Sequence, residues 1–244
     1  MIYNKQAYEL GSKRSAIREL FEYGKQRAAI VGAENIYDFS LGNPTVPAPT
    51  CVDETIRQLT EEMDCIQLHG YTSAQGDAET RAAIAEFLNH THGTHFNAND
   101  FYITMGAAAS LSIAFHALTT SAEDEFIAIA PFFPEYKVFV EATGASLRVV
   151  PADTEKFQID FTALENCINT NTKGIIINSP NNPSGAVYSG ETITKLAELL
   201  ERKEKEYGHP IFIIADEPYR EIANDGVEVP YVTKYNANTL VCYS

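Results

Sequence analysis

The 244-residue sequence predicts a three-layer α/β/α fold built on a mainly parallel sheet. From residue 101 onward, short apolar runs alternate with longer segments of helical periodicity. The runs are rich in Ile and Val and apolar at nearly every position, which is typical of strands buried on both faces. Strand–helix–strand alternation favours parallel pairing, because the helix returns the chain to the edge where the previous strand began.

The first hundred residues are predicted to be mostly helical. Helical spacing of apolar residues runs from Ile17 to Gly32, and three prolines and a glycine between Asp38 and Pro49 predict an extended segment. Thr50, with Asp53 three residues later, predicts a helix N-terminus, and Asp77 is predicted to open a further helix.

The remaining chain is predicted to hold six strands separated by helices. The predicted strands are Phe101–Met105, Phe126–Ala130, Ser146–Val150, Gly174–Asn178, Ile211–Ala215 and Thr239–Tyr243, and the predicted helices are Ala107–Leu118, Glu135–Thr143, Asp160–Ile168 and Ser189–Tyr207. In open parallel sheets, ligands bind beyond the carboxyl ends of the strands. The residues that follow each run are therefore the first candidates for a functional site.

Composition and charge exclude several classes of protein. Hydrophobic residues make up 45% of the chain and charged residues 21%, which excludes a disordered or fibrous chain. The net charge of −15 argues against nucleic acid or an anionic membrane as the main partner. The four cysteines form no C-x-x-C pair, and neither a signal region nor a membrane-length apolar run is visible. We therefore expect a soluble cytoplasmic protein with free thiols.

Two strand ends have residues that suit a charged ligand. Gly106 to Ala109 join a predicted strand to a helix with no side chain larger than methyl, so an anion could approach the N–H groups of the helix start. Taken alone, such small residues are more often explained by close packing. Asp216 follows a buried strand, where a carboxylate needs a partner. A helix N-cap is one explanation for Asp216; a Walker B carboxylate is disfavoured, because the chain has no G-x-x-x-x-G-K-[ST] loop.

Two polar segments differ in what they predict. The loop from Asn178 to Gly185 (NSPNNPSG) offers the amides of Asn178 and Asn182 beside a strand end, though any loop is rich in such turn residues. His90, His92 and His95 lie near a predicted helix end, without a carboxylate or cysteine at ligand spacing. We therefore expect a solvated loop there and no metal.

Taken together and in order, these motifs resemble the class I/II aminotransferases, which are pyridoxal-phosphate enzymes of fold type I, similar to aspartate aminotransferase. The motifs that carry the resemblance are Gly42-Asn-Pro, Tyr71-x-x-x-x-Gly76, Gly106-Ala-Ala-Ala, Pro131-Phe-Phe-Pro-x-Tyr136, Asn178-x-Pro-Asn-Asn-Pro-x-Gly185 and Asp216-x-Pro-Tyr219. They cover nearly the whole chain. The resemblance implies transfer of an amino group between an amino acid and a 2-oxo acid, with pyridoxal 5′-phosphate as cofactor.

The resemblance also implies roles for the residues at the strand ends. Asp216 matches the carboxylate that pairs with the protonated pyridine nitrogen, Asn182 and Tyr219 match the pair that hydrogen-bonds the ring's phenolic oxygen, and Phe133 matches the aromatic residue on the ring face. A negative charge at the ring nitrogen keeps the ring able to withdraw electrons from the substrate. Asp216 and Tyr219 are thus the implied catalytic residues.

Further positions are implied to bind the phosphate and the substrate. The 5′-phosphate would be held by the backbone of Gly106, Ala107 and Ala108 and by the hydroxyl of Ser244. Tyr71 would reach the phosphate of a neighbouring subunit in a homodimer. The substrate would be met by Gly42, Asn178 and Asn182. The resemblance assigns residues 1–49 to an N-terminal arm and small-domain segment, and 50–244 to a large cofactor-binding domain that is incomplete at its C-terminus.

One departure from the family pattern concerns the catalytic lysine, which the family carries in a Ser-x-x-Lys element. Ser244 matches that serine and is the final residue, while Lys137, Lys173 and Lys234 are not in matching positions. We therefore expect a truncated chain that is inactive alone. Two alternatives stay open, namely a C–S β-lyase on the same scaffold and a non-catalytic cofactor-binding or assembly fragment.

Overall fold

The chain forms two compact units, Met1–Gly70 and Tyr71–Ser244. The structure is a computed structural model that describes residues 2–3, 5–12, 16–40, 42, 46–151 and 153–244. Among these residues, no helix is both long enough and apolar enough to cross a membrane.

The first unit is helical. Among its described residues, the helices are α1 (Lys5–Ser12), α2 (Ala16–Val31), α3 (Thr50–Glu62) and α4 (Cys65–His69), and a 3-10 turn lies at Ala33–Asn35. The helix predicted from Ile17 is confirmed as α2, whereas α1 and α4 were not predicted. The helix N-terminus predicted at Thr50 is confirmed, because Thr50 is the first residue of α3. Pro49 takes the N-cap position, and no described side chain caps this end.

The second unit alternates helices and strands. Its elements are α5 (Ala78–His92), α6 (Ala107–Leu118), β1 (Glu125–Ala130), α7 (Glu135–Glu141), β2 (Ser146–Pro151), α8 (Phe161–Cys167), β3 (Thr172–Asn178), α9 (Gly190–Tyr207), β4 (Phe212–Asp216) and β5 (Thr239–Cys242), with 3-10 turns at Ala98–Asp100, Arg220–Ile222 and Val232–Lys234. Side-chain caps fix several helix starts: Asp77 accepts a hydrogen bond from the Thr80 N–H at 2.8 Å, and Ser189 from the Thr192 N–H at 3.1 Å.

The five strands form one parallel sheet in the order β2-β1-β3-β4-β5. Side chains alternate between the faces of a strand, and each face of this sheet has its own core. On β3, Ile175 and Ile177 belong to a core shared with α8 and α9, whereas Ile176 belongs to one shared with α6 and α7. The predicted three-layer α/β/α architecture is confirmed.

The predicted strand Phe101–Met105 is wrong. The run is extended, but it forms no ladder with any described strand, and the N–H of Ile103 donates to the carbonyl of Gln75 at 2.9 Å instead. Its neighbour is the turn at Gly76, where an added Cβ would lie 2.6 Å from the Ile103 Cβ. Met105 is 94% exposed, so the run is not buried on both faces as the pattern suggested.

The histidine segment also differs from its prediction. Helix α5 extends through His92 and ends at Gly93, whose left-handed φ of +64° suits glycine. The His92 ring stacks on Tyr231, with centroids 4.4 Å apart, so this histidine belongs to a packed contact and not to a solvated loop. The residues that the structure describes contain no group of three or more His, Cys, Asp or Glu side chains suited to a metal ion.

Candidate active site

A cavity of about 300 Å³ lies within the second unit, at the carboxyl end of β4. It is lined by Met105, Gly106, Ala107, Ala108, Leu111, Phe133, Asn182, Asp216, Pro218, Tyr219 and Ser244. Small-molecule sites typically enclose roughly 300–1,000 Å³, so the volume suits a compact ligand. All residues predicted to contact the cofactor within one subunit therefore lie together around one cavity.

Asp216 is the buried acid of this cavity. It is the last residue of β4 and only 6% exposed, and the Tyr136 hydroxyl donates a hydrogen bond to its Oδ2 atom at 2.5 Å. Burial raises the pKa of Asp216 above its ordinary value, and the hydrogen bond from Tyr136 opposes that rise. Burial, together with the Asp216 charge, raises the pKa of Tyr136 strongly, so the phenol keeps its proton and remains a donor.

Asn178 holds two parts of the site together. Its side-chain amide donates to the Asp216 carbonyl at 2.8 Å, and its Oδ1 atom accepts from the N–H of Asn182 at 2.6 Å. Asn178 and Asp216 are paired in register on β3 and β4, which explains why this amide reaches across the strands. The structure thus places Asn178 as a buried support for Asp216 and Asn182; its predicted contact with substrate remains a prediction.

Asn182 and Tyr219 form a polar pair on the cavity wall. The Asn182 side-chain amide donates to the Tyr219 hydroxyl oxygen at 3.2 Å. Because that oxygen already accepts this bond, the hydroxyl proton of Tyr219 is available to donate elsewhere. The pair joins two loops whose members are 37 residues apart in sequence, and both side chains are half-buried.

The start of α6 supplies backbone donors to the cavity. Gly106 is its N-cap, with φ +81° and ψ 172°, a conformation that glycine adopts and other residues rarely do. The first N–H groups of an α-helix have no partner inside the helix, and Gly106 has no side chain with which to cap them. The hydroxyls of Thr104 and Ser110 lie 2.7 Å apart, and Thr104 donates to the Gly106 carbonyl at 3.0 Å, which fixes this turn.

An aromatic ring and a hydroxyl complete the wall. Phe133 is half-buried and meets Tyr136 edge to face, with ring centroids 5.6 Å apart, so its orientation is tied to the residue that bonds Asp216. Ser244 follows β5 and is exposed at the cavity edge.

Three predicted residues are not among those that line this cavity, namely Asn178, described above, Gly42 and Tyr71. Gly42 is an exposed coil residue of the first unit, and Asn43 and Pro44 of the same motif lie outside the described residues. Tyr71 begins the second unit and is fully exposed. Their predicted contacts with substrate and with a partner subunit therefore remain predictions.

The sequence motifs did not reveal what Tyr136, Thr104 and Ser110 do. Tyr136 belongs to one of the sequence motifs, but its bond to Asp216 joins residues 80 positions apart, and no local pattern indicates such a contact. Thr104 and Ser110 lie at spacing i, i+6 across the turn that leads into α6, where paired hydroxyls could have signalled a braced loop.

The groups around the cavity match the chemistry of pyridoxal 5′-phosphate. The N–H groups at the start of α6 suit its phosphate, the Asp216 carboxylate suits a protonated ring nitrogen, and the Asn182–Tyr219 pair suits a phenolic oxygen. The fold and this set of groups define a small-ligand site at the carboxyl edge of an open parallel α/β sheet.

Comparison with known proteins gives the family. Residues 34–244 match the family model for aminotransferase class I and II. An aspartate aminotransferase of Pyrococcus horikoshii is 29% identical over 234 residues, which cover 95% of this chain and 56% of the relative. An alanine aminotransferase of Mycobacterium tuberculosis is 28% identical over 204 residues, which cover 82% of this chain and 46% of the relative. The crystal structure of an aminotransferase from Eubacterium rectale is 72% identical, with a TM-score of 0.98, covering all of this chain and 61% of that one.

The chain therefore belongs to the class I and II aminotransferase family. It spans between about half and three fifths of the length of these relatives, and two of the three are named for different amino acids, aspartate and alanine.

Proposed function

We propose that this chain is the cofactor-binding part of a pyridoxal-phosphate-dependent aminotransferase that moves an amino group between an amino acid and a 2-oxo acid. The observation that supports this most is the Asp216 carboxylate, buried at the end of β4 in the same cavity as the Asn182–Tyr219 pair and the α6 N-terminus. When bound, the cofactor supplies an electron-withdrawing ring that stabilises negative charge on the substrate α-carbon.

Asp216 would hold the proton on the ring nitrogen. A carboxylate can accept several hydrogen bonds, and Tyr136 occupies only the Oδ2 atom, so the carboxylate has capacity for a donor in the cavity. A cationic ring nitrogen beside Asp216 would favour its ionised form and so offset the cost of burying the charge.

Tyr219 would donate a hydrogen bond to the phenolic oxygen of the ring. Its hydroxyl oxygen accepts from Asn182, which directs the hydroxyl proton away from that amide. A donor at this position stabilises negative charge on the phenolic oxygen.

The phosphate would lie at the start of α6, against the N–H groups of Ala107 and Ala108. Helix N-termini attract anions through these unpaired donors and through the helix dipole. The half-buried ring of Phe133 would cover one face of the cofactor ring.

Two properties of the whole protein are part of the same proposal. The fully exposed Tyr71 supports a homodimer in which this tyrosine reaches the partner's phosphate, as the family resemblance implies. The four cysteines are free thiols, which supports a cytoplasmic location.

A binding experiment tests the cofactor part of the proposal. The 244-residue chain is titrated with pyridoxamine 5′-phosphate, which cannot react with surface lysines, and with pyridoxamine as a phosphate-free control. We expect saturable binding of the phosphorylated compound, at least tenfold tighter than that of pyridoxamine. Equal affinity for the two compounds would contradict the proposal that the N-terminus of α6 binds the phosphate.

A chimera tests the reaction. The 244 residues are joined to the remaining portion of the Eubacterium rectale relative, and amino transfer to 2-oxoglutarate is measured with aspartate, alanine and aromatic amino acids as donors. We expect transfer from at least one donor, and its loss on Asp216→Asn. Release of ammonia and a thiol from a cysteine conjugate, without transfer, would instead favour a β-lyase.

A further inference from the structure

A buried ion pair flanks Tyr219 in sequence, with Glu217 two residues before it and Arg220 directly after it. Glu217 is 3% exposed and Arg220 is 8% exposed, and the Arg220 Nε atom donates to Glu217 Oε2 at 3.0 Å. The Arg220 Nη2 atom donates to the same oxygen, so the guanidinium makes two bonds to one carboxylate. None of the roles proposed above uses this pair.

Arg220 also holds the far end of the loop that follows β4. Its Nη1 atom donates to the Val229 carbonyl at 3.0 Å, and its guanidinium carbon lies 4.8 Å from the centre of the Tyr231 ring. Tyr231 in turn stacks on His92 of α5. The loop from 217 to 231 is therefore closed by one side chain and attached to a neighbouring helix.

Tyr219 lies between the two members of the pair. It is the N-cap of the 3-10 turn Arg220–Ile222, and its carbonyl accepts from the Ile222 N–H at 3.2 Å. The Glu217 N–H donates to the Cys242 carbonyl of β5 at 2.9 Å, which attaches the start of this segment to the sheet. The backbone on both sides of Tyr219 is thus held by buried polar contacts.

We propose that Arg220 is a positioning residue: paired with Glu217 and bonded to Val229, it fixes the turn that directs the Tyr219 hydroxyl to Asn182 and the cavity. The inference rests on the proposed function for what Tyr219 does, but not for how Tyr219 is held. Lysine could not replace Arg220 fully, because an ammonium group lacks the planar fork that reaches Glu217 and the loop carbonyls together.

The first test measures amide hydrogen exchange in the ligand-free 244-residue chain. We expect Arg220→Met and the milder Arg220→Lys to speed exchange in peptides covering both 219–222 and 182–185, because loss of the turn also loses the Asn182–Tyr219 bond. The matched control is Arg81→Met. Arg81 is another buried arginine of the same unit that donates to backbone carbonyls, those of Gly76 and Ala98, away from Tyr219.

The second test uses 4′-deoxypyridoxine 5′-phosphate, whose absorbance reports ionisation of its ring phenol. Tyr219→Phe should raise the pH at which the bound phenol ionises by about one unit, since a hydrogen bond to a charged group is lost. Arg220→Lys and Arg220→Met should shift it in the same direction, and adding either to Tyr219→Phe should produce no further shift. Arg81→Met should leave the phenol titration unchanged.

The two readouts separate the possible failures. If wild-type chain does not bind the probe, the proposed function fails, while the exchange data still decide whether Arg220 positions Tyr219. If exchange rises only in 229–231, or if Arg220 and Tyr219 substitutions shift the phenol titration additively, the positioning role is overturned. If Arg220→Met does not fold, Arg220→Lys provides both readouts.

Discussion

Asp216 and Glu217 are adjacent carboxylates at the end of one strand, yet their surroundings are opposite. Both are buried, at 6% and 3% exposed. Asp216 faces the cavity and is bonded by a neutral phenol, whereas Glu217 is bonded twice by the Arg220 guanidinium. Burial raises the pKa of both carboxylates; for Glu217 the arginine opposes the rise, and for Asp216 only the Tyr136 hydroxyl does.

The difference shows that the partner of a buried carboxylate indicates whether the carboxylate supports the fold or binds a ligand. A carboxylate neutralised inside the protein has its partner already and contributes to the arrangement of the chain. A carboxylate buried without a cation lowers the stability of the ligand-free protein, and a cationic ligand offsets that loss when it binds. Substitutions at and around Asp216 and Glu217 therefore test this contrast.

The largest effect is expected from Glu217→Gln. This substitution leaves the buried Arg220 without its counter-charge, so the free energy of unfolding should fall by about 3–5 kcal/mol, measured by urea denaturation. The control is Glu191→Gln, which removes the partner of Lys195 in a solvent-exposed pair and should cost less than about 1 kcal/mol. Equal losses for the two variants would contradict the contrast.

Asp216→Asn should have the opposite sign on stability. The free energy of unfolding of the ligand-free chain should rise by about 1 kcal/mol, as often happens when a functional group is removed. Affinity for pyridoxamine 5′-phosphate should fall by about 10–100-fold, because a charge-assisted hydrogen bond is lost. Isothermal calorimetry measures the affinity.

The pH dependence of this gain has a defined sign. Burial raises the pKa of Asp216 in the folded chain, so the folded state binds the proton more tightly than the unfolded state. The stability linked to that proton is complete below the unfolded pKa and is lost as pH rises through the folded pKa. The advantage of Asp216→Asn should therefore grow from acid toward neutral pH, and a gain that is largest in acid would refute the assignment.

Gly106→Ala tests the backbone of the phosphate site. An added Cβ meets no atom within 4 Å, so the cost comes from φ +81° alone and should be about 1–2 kcal/mol of unfolding free energy. Gly144, at φ +93° and also with open space, is the matched control. Both alanine variants should lose similar stability, but only Gly106→Ala should weaken binding of pyridoxamine 5′-phosphate. Weaker binding in both variants would show that the loss follows from lower stability and not from a phosphate site at Gly106.

Tyr136→Phe should have the smallest effect. Removal of its hydroxyl leaves Asp216 with a further raised pKa, so affinity for pyridoxamine 5′-phosphate at neutral pH should fall by about threefold to tenfold. The pH below which binding weakens should move upward. The control is Tyr188→Phe, because Tyr188 is buried in the core and burial raises its pKa to about 12. This variant should leave the pH dependence of the affinity for pyridoxamine 5′-phosphate unchanged.

The sequence was informative where function depends on residues next to strand ends. Asp216 and Asn182 are predictable because a buried parallel strand has a recognisable pattern and its carboxyl end has a known role. Gly106 lies at the cavity although the strand predicted before it does not form. The family resemblance then supplied their chemistry, which the residues alone left open. Tyr136 could not be assigned, since its bond to Asp216 depends on how α7 packs against the sheet.

The wrong predictions have a common physical cause. Phe101–Met105 has the composition of a strand, but strand formation also requires a neighbour with free backbone groups at the right spacing, and composition does not report on that neighbour. Likewise His92 stacks on Tyr231, which lies on the distant loop after β4. In both cases the decisive partner is remote in sequence.

The wide separation of the cavity residues along the chain bears on how the protein folds. Gly106 and Ser244 wall the same cavity, and between them lie all five strands, paired in an order that is not their order in sequence. Such non-local pairing is intrinsically slow. We therefore expect the ligand to bind only after the sheet is complete, so that pyridoxamine 5′-phosphate slows unfolding without accelerating refolding. Faster refolding in its presence, in stopped-flow measurements, would show that the cavity forms early.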